Sequence, residues 1–150
     1  DDLIAEVESI LKDMRTDDTD DNEVTGFKGY AHRLPILRSD EDDPAQYFPY
    51  FIVRFSGAKT ADDDDCWHVD TDIIIGVHDM ATSDGHEHIL IAIQRIVDRF
   101  AEDAWMGNYR ADQDIEWAIA EEDTYPFYFG AVAIKFSAPK IGRKEMYDYV

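Results

Sequence analysis

Apolar residues recur at helical spacing in two parts of this chain. In residues 1–14 they fall three and four positions apart, with acidic and basic residues between them: Leu3, Ile4, Val7, Ile10, Leu11 and Met14. This spacing predicts a helix with one buried face. A second run, Ile89, Ile93, Ile96, Val97 and Phe100, predicts a helix from about Gly85 to Ala104. Asp84 and Glu87 are spaced as a capping box at its start.

Five other segments have the composition or the alternation of β-strands. A short extended piece is expected at residues 24–32, and β-branched and aromatic residues predict a central strand at Tyr50–Phe55. From Trp67 to Val77 every second residue is apolar or threonine, which predicts a long, half-buried strand. The segments "DIEWAIAEE" (114–122) and "FYFGAVAIKFS" (127–137) complete the set.

This order of elements, αβββαββ, predicts one α+β domain over residues 1–150. Strands that follow one another along the chain with turn-like joints tend to pair antiparallel. We therefore expect a largely antiparallel sheet of four to five strands with two helices on one face.

The acidic composition limits the possible partners. The chain has 34 acidic and 14 basic residues, a formal net charge of −20, and a single cysteine, Cys66. This charge opposes binding to nucleic-acid phosphates or to an anionic membrane, and the apolar runs are too short to span a bilayer. No secretory leader is expected from the first residues, and a lone cysteine cannot form an internal disulfide, so a reducing compartment is the simpler expectation.

Three of the five histidines lie close together, at His78, His86 and His88. On a helix His86 and His88 are about 200° apart, so they cannot share one ion. His78 with His86 remains a possible pair across the loop, but no zinc-type spacing supports it. We favour a capped helix with exposed histidines over a metal site.

No catalytic or cofactor signature is present. The acids that begin at Asp18 do not match a calcium-binding loop, and neither a nucleophile elbow nor a phosphate-binding glycine loop occurs. Acidic neighbours raise the pKa of a thiol, which makes Cys66 a poor nucleophile. We expect no enzyme activity, no cofactor and no metal.

Self-association is favoured by an uneven distribution of charge. Lys135, Lys140, Arg143 and Lys144 form a basic segment near the C-terminus of an otherwise acidic chain, and opposite charges allow head-to-tail docking of copies. The neighbouring "YPFYFG" (125–130) is dense in aromatics. We expect Phe127 and Phe129 to be core residues. Tyr125, Tyr128, Lys140, Arg143 and Lys144 are the candidate interface residues for copies or partners.

Four segments resemble, in order, the tail terminator (tail completion) proteins of long-tailed bacteriophages, in the versions carried by phages and prophages of Gram-positive bacteria. They are "FPYFIVRF" (48–55), "DTDIIIGVHD" (70–79), "DGHEHILIAIQRIVDRF" (84–100) and "YPFYFGAVAIKFSAPKIGRKE" (125–145). The resemblance implies an α+β subunit of a hexameric ring in the virion tail, assembled in the host bacterial cytoplasm. It also implies two partners besides the copies themselves, the tail tube protein and the head-tail connector protein.

Two other functions are compatible with the composition. An acidic protein can imitate DNA and inhibit a nucleic-acid-binding enzyme, although most of the acids here fall in the loop-like runs "DDTDD", "SDEDD" and "DDDD". A metal-dependent enzyme that uses His78 and His86 ranks third.

An acidic ring opening would suit a tail terminator, because it repels the phosphates of DNA that passes through it.

Overall fold

The computed structural model describes residues 2–14, 26–35, 47–60, 66–79, 85–122 and 124–139. These residues form two helices and six strands. In chain order they are α1 (Asp2–Leu11), β1 (Lys28–Ala31), β2 (Tyr50–Thr60), β3 (Cys66–His78), α2 (Gly85–Glu102), β4 (Trp105–Met106), β5 (Tyr109–Ile119) and β6 (Phe127–Pro139). No helix among these residues is both long and apolar enough to cross a bilayer.

All six strands belong to one curled sheet that resembles half a barrel. Their order is β1-β2-β3-β6-β5-β4. At the centre, β3 and β6 pair antiparallel from His78 opposite Phe127 to Cys66 opposite Pro139. The other pairs are also antiparallel except β1 with β2, which run in the same direction.

The fold class expected from the sequence is wrong. The sheet is mixed and has six strands rather than four to five, and the element order ends in three strands. The extra strand, β4, has two residues, too few to show alternation. A parallel pair needs a long crossover, and residues 32–49, which separate β1 from β2, provide the required length.

The core lies between the helices and one side of the sheet, which we call the inner face. From α1 it takes Leu3, Val7 and Leu11, and from α2 Ile89, Ile93, Ile96 and Phe100. Opposite them lie the inward residues of the strands: Phe51, Val53, Ile73, Ile75, Val77, Val132, Ile134 and Phe136. At Gly130 an added Cβ would lie 2.5 Å from Ile89 Cγ2, so glycine permits close contact between α2 and the sheet.

Arg99 joins the two helices to the end of the sheet. Its Nε donates to Glu6 Oε1 on α1 at 2.5 Å. Its terminal nitrogens donate to the carbonyl oxygens of Asp103 and Trp105, at 2.6 and 3.1 Å. One side chain therefore connects α1, the end of α2 and the start of β4.

Candidate functional site

The structure separates the candidate interface residues expected from the sequence. Tyr125, in the turn before β6, is 55% exposed, whereas Tyr128 is 6% exposed and belongs to the core. The His86 and Tyr128 rings pack nearly perpendicular to each other, with 4.7 Å between centroids. Lys140, Arg143 and Lys144 lie outside the described residues. Of the two tyrosines, only Tyr125 lies on the surface.

The sequence predicted that Phe127 and Phe129 are core residues, but neither side chain faces the core. They are half-buried on the opposite side of the sheet, the outer face. There Phe48 packs between them, with ring centroids 5.0 Å from Phe127 and 6.0 Å from Phe129. The His78 ring lies 5.0 Å from Phe127. These rings form an aromatic cluster at one end of the outer face.

The three neighbouring histidines have different surroundings. His78 lies in the aromatic cluster, and His86 packs on Tyr128. His88 Nε2 lies 3.6 Å from Asp79 Oδ2, a nearly buried carboxylate. Across the described ranges no three histidine, cysteine or carboxylate side chains come together as metal ligands would.

A groove on the inner face opens beside the start of α1, where Asp2 and Leu3 line it. It has a volume of about 710 Å³, and its walls are largely apolar. Phe55, Val69 and Phe136 contribute from the long strands, and Met106 and Tyr109 from the opposite edge. The hydroxyl oxygen of Thr71, also in its lining, is buried and has no hydrogen-bond partner among the described residues. The core is thus open at this end of the sheet.

The outer face carries a second, more polar groove of about 480 Å³. Asp70, Asp72, Asp114 and Glu116 line it, and Lys135 is the basic residue among them. These four acids are held on ordered strands, although the sequence suggested that most of the negative charge belongs to loops.

Both long sides of the sheet have an open stretch. β1 pairs with β2 only from Tyr50 to Val53, so no described strand covers the β2 edge at residues 54–60. β4 pairs only with Tyr109 and Arg110 of β5, and Ala111 N donates to Ala104 O. Beyond that point, within the described residues, the β5 edge is uncovered at residues 112–119.

The two open edges carry opposite charge on the outer face. The β2 edge presents Arg54 and Lys59, whose cross-strand neighbours on β3 are Asp72 and His68. Asp112, Asp114 and Glu116 occupy the β5 edge. Asp112 accepts a hydrogen bond from Ser137 Oγ at 3.2 Å, and Arg54 Nε donates to His32 O at 2.8 Å.

Eight large apolar side chains are exposed in the described part of the chain: Phe55, Trp67, Leu90, Ile91, Trp105, Tyr109, Trp117 and Tyr125. They include all three tryptophans of the sequence. Tryptophan is highly buried on average, and exposed aromatics are enriched at protein interfaces. Five of the eight lie on the strands β2, β3, β4 and β5.

Tyr50, on the outer face beside the aromatic cluster, makes the free energy of unfolding depend on pH in the alkaline range. Burial raises the pKa of its phenol above the ordinary value of 10.0, although nearby Arg54 opposes the shift. Above pH 10 the unfolded chain loses this proton more readily than the folded chain, so the free energy of unfolding falls as pH rises through and beyond 10. Below pH 10 this residue adds no pH dependence.

We expect urea denaturation of Tyr50→Phe to show a smaller loss of stability between pH 9 and pH 11 than the wild type. The lysines and the other tyrosines titrate in both proteins, so they cancel in this comparison. Equal losses in the two proteins would contradict the assignment to Tyr50.

Comparison with known proteins adds no relative: neither a scan against models of protein families nor a search of curated proteins finds a match for this chain.

Proposed function

We propose that this chain is a structural protein of phage or prophage morphogenesis. It assembles with copies of itself as a hexameric ring, caps the tail tube, ends tail polymerisation and joins the tail to the head connector. It acts in the virion tail after assembly in the bacterial cytoplasm. The task requires mutual docking of surfaces and no reactive centre.

The observation that carries this proposal is the exposure of all three tryptophans. Each has a relative exposure between 45% and 55%, and the three lie on β3, β4 and β5. Leaving this much aromatic surface in water is unfavourable, and its burial against another protein contributes roughly 25 cal/mol per Å². A sheet with such residues along it is suited to contacts with other subunits and with a tube or connector.

The polar groove on the outer face fits the same function. Asp70, Asp72, Asp114 and Glu116 create a negative potential there, which Lys135 offsets in part. A ring that faces its opening with such a surface repels the phosphates of passing DNA. This surface supports a passage for DNA rather than a binding site for it.

The same acids favour a second candidate function, an acidic mimic of DNA that inhibits a nucleic-acid-binding enzyme. Mimicry requires carboxylates spaced along ordered structure, and Asp72 on β3 and Glu116 on β5 meet this requirement. Lys135 between them has no counterpart on a phosphate backbone. We therefore place this function second.

Electron microscopy of the negatively stained protein separates the two functions. The tail-terminator function predicts annular particles whose number grows with protein concentration, and shorter tubes when the protein is added to a polymerising tail tube protein. The mimic predicts single chains that bind a DNA-binding enzyme and are displaced by salt. Single chains at every concentration, with no effect on tube length, would contradict the proposed function.

A further inference from the structure

We propose that copies of this chain join edge to edge through the sheet. Residues 54–60 of β2 in one copy pair with residues 112–119 of β5 in the next copy, and the two sheets become continuous. The inference deepens the proposed function and rests on its self-association, for which it names the contact surface.

Among the described residues no strand pairs with either edge; His32 ends the covered part of β2, where its N donates to Val53 O and its ring meets that of Phe55. An uncovered strand edge presents a row of N–H and C=O groups, and such a row is a template for a strand of another chain. Every residue from Arg54 to Thr60 is exposed, and the described residues place no strand beside it. Beside β5 the described residues likewise place no strand from Asp112 onward, although Asp112, Ile115 and Ile119 are half-buried.

The strand directions suit a head-to-tail contact. β2, β3, β6 and β5 are successive antiparallel neighbours, so β2 and β5 run in opposite directions. A second copy placed beside the first in the same orientation brings β5 antiparallel to β2, with the inner faces on the same side. If each copy repeats this heterologous contact with the next, a ring forms when the rotations between neighbouring copies add up to one full turn.

The charges select this contact over pairing of like edges. Two β2 edges would bring Arg54 and Lys59 near the same cations, and two β5 edges would bring carboxylates together. In the antiparallel register with Arg54 opposite Glu116, Lys59 reaches the part of β5 that carries Asp112. Both strands are irregular between these two points, β2 between Phe55 and Gly57 and β5 between Ala111 and Ile115. Opposite charges directly across a strand pair are favourable, and like charges are unfavourable.

The apolar residues agree with this register. Phe55 and Trp117 are 56% and 52% exposed, and both belong to the inner-facing sets of their strands. Opposite Ile115, the Phe55 ring would also reach Trp117 on the diagonal, a separation that aromatic side chains can bridge. Water would then be excluded from both rings, which the isolated subunit leaves half exposed.

The test is a charge exchange between the two edges. One variant, Arg54→Glu with Lys59→Glu, makes the β2 edge acidic, and the other, Asp112→Lys with Glu116→Lys, gives the β5 edge two cations at the positions that face them. We expect each to self-associate at least about tenfold more weakly than the wild type in sedimentation velocity runs. In an equimolar mixture every edge meets an opposite charge again, so association returns.

Recovery on mixing shows that both variants are folded, and circular dichroism checks each one alone. Arg95→Glu and Asp98→Lys each reverse one charge, in the same two directions, at exposed positions of α2 and leave association unchanged. A wild type that stays a single chain up to about millimolar concentration, variants that associate as the wild type does, or a mixture that does not recover would each overturn the edge contact.

The same experiment separates this inference from the proposed function. Annular particles that form regardless of the exchanged charges keep the ring and remove the edge contact. Association that follows the charges without ever stopping the growth of tail tubes keeps the edge contact and removes the tail-terminator function.

Discussion

Replacement of Phe51 by alanine lowers the free energy of unfolding by about 3–5 kcal/mol. The Phe51 side chain is fully buried. It lies opposite Ile75 of β3 and Gly29 of β1, and its ring occupies the space that a Cβ at Gly29 would need. Truncation therefore leaves a cavity where α1, β1 and β3 meet. Urea denaturation followed by circular dichroism measures the loss.

Phe55→Ala is the matched control, because it removes the same side chain from the same strand at a position that is 56% exposed. We expect its free energy of unfolding to stay within about 1 kcal/mol of the wild type, whereas its self-association weakens if the edge contact is correct. Equal destabilisation by the two substitutions would contradict the assignment of Phe51 to the core and of Phe55 to the surface.

Replacement of Arg99 by methionine lowers the free energy of unfolding by about 2 kcal/mol, because three hydrogen bonds are lost and one of them joins two charges. Glu6 and the Trp105 carbonyl then lose their connection to α2. Methionine retains much of the apolar stem, so the loss of stability reports mainly on the polar contacts. Thermal unfolding at neutral pH measures the change.

Arg95→Met on the exposed side of α2 is the control for the change of residue type. It leaves the free energy of unfolding within about 0.5 kcal/mol of the wild type. If Arg99→Met were as stable as Arg95→Met, the hydrogen bonds of Arg99 would contribute nothing measurable to the free energy of unfolding.

The helices and the long strands could be predicted from the sequence because each has a clear period. The spacing from Ile89 to Phe100 gave the start of α2 at Gly85 and its end within two residues, and the alternation from Trp67 to Val77 gave most of β3. β2 continues to Thr60, past its predicted end at Phe55. The sequence did not show this extension because both sides of the stretch are exposed, so its apolar and polar residues do not alternate. The parallel direction of β1 depends on a partner distant in the chain.

The orientation of "FYFG" shows where a local pattern fails. Three consecutive aromatics give no phase, so burial of Phe127 and Phe129 was as compatible with the sequence as burial of Tyr128. The signal lies further along the strand, where Val132, Ile134 and Phe136 are inward and alternate with the small residues Ala131 and Ala133. Extending this phase backward places Tyr128 in the core, as the structure does.

The two open edges could not be found from sequence, because the identity of an edge strand depends on the whole order of the sheet. The charges were visible as Arg54 and Lys59 in one segment and as Asp112, Asp114 and Glu116 in another. Only the order β1-β2-β3-β6-β5-β4, with short strands at both ends, gives these residues a common role.

Native mass spectrometry of the purified chain across a concentration series tests the central claim most directly, since it counts the copies in each particle. Closed head-to-tail docking predicts that single chains convert to one species of six copies, with intermediates scarce. Single chains throughout, or a ladder of oligomers that lengthens without limit, would contradict a closed ring.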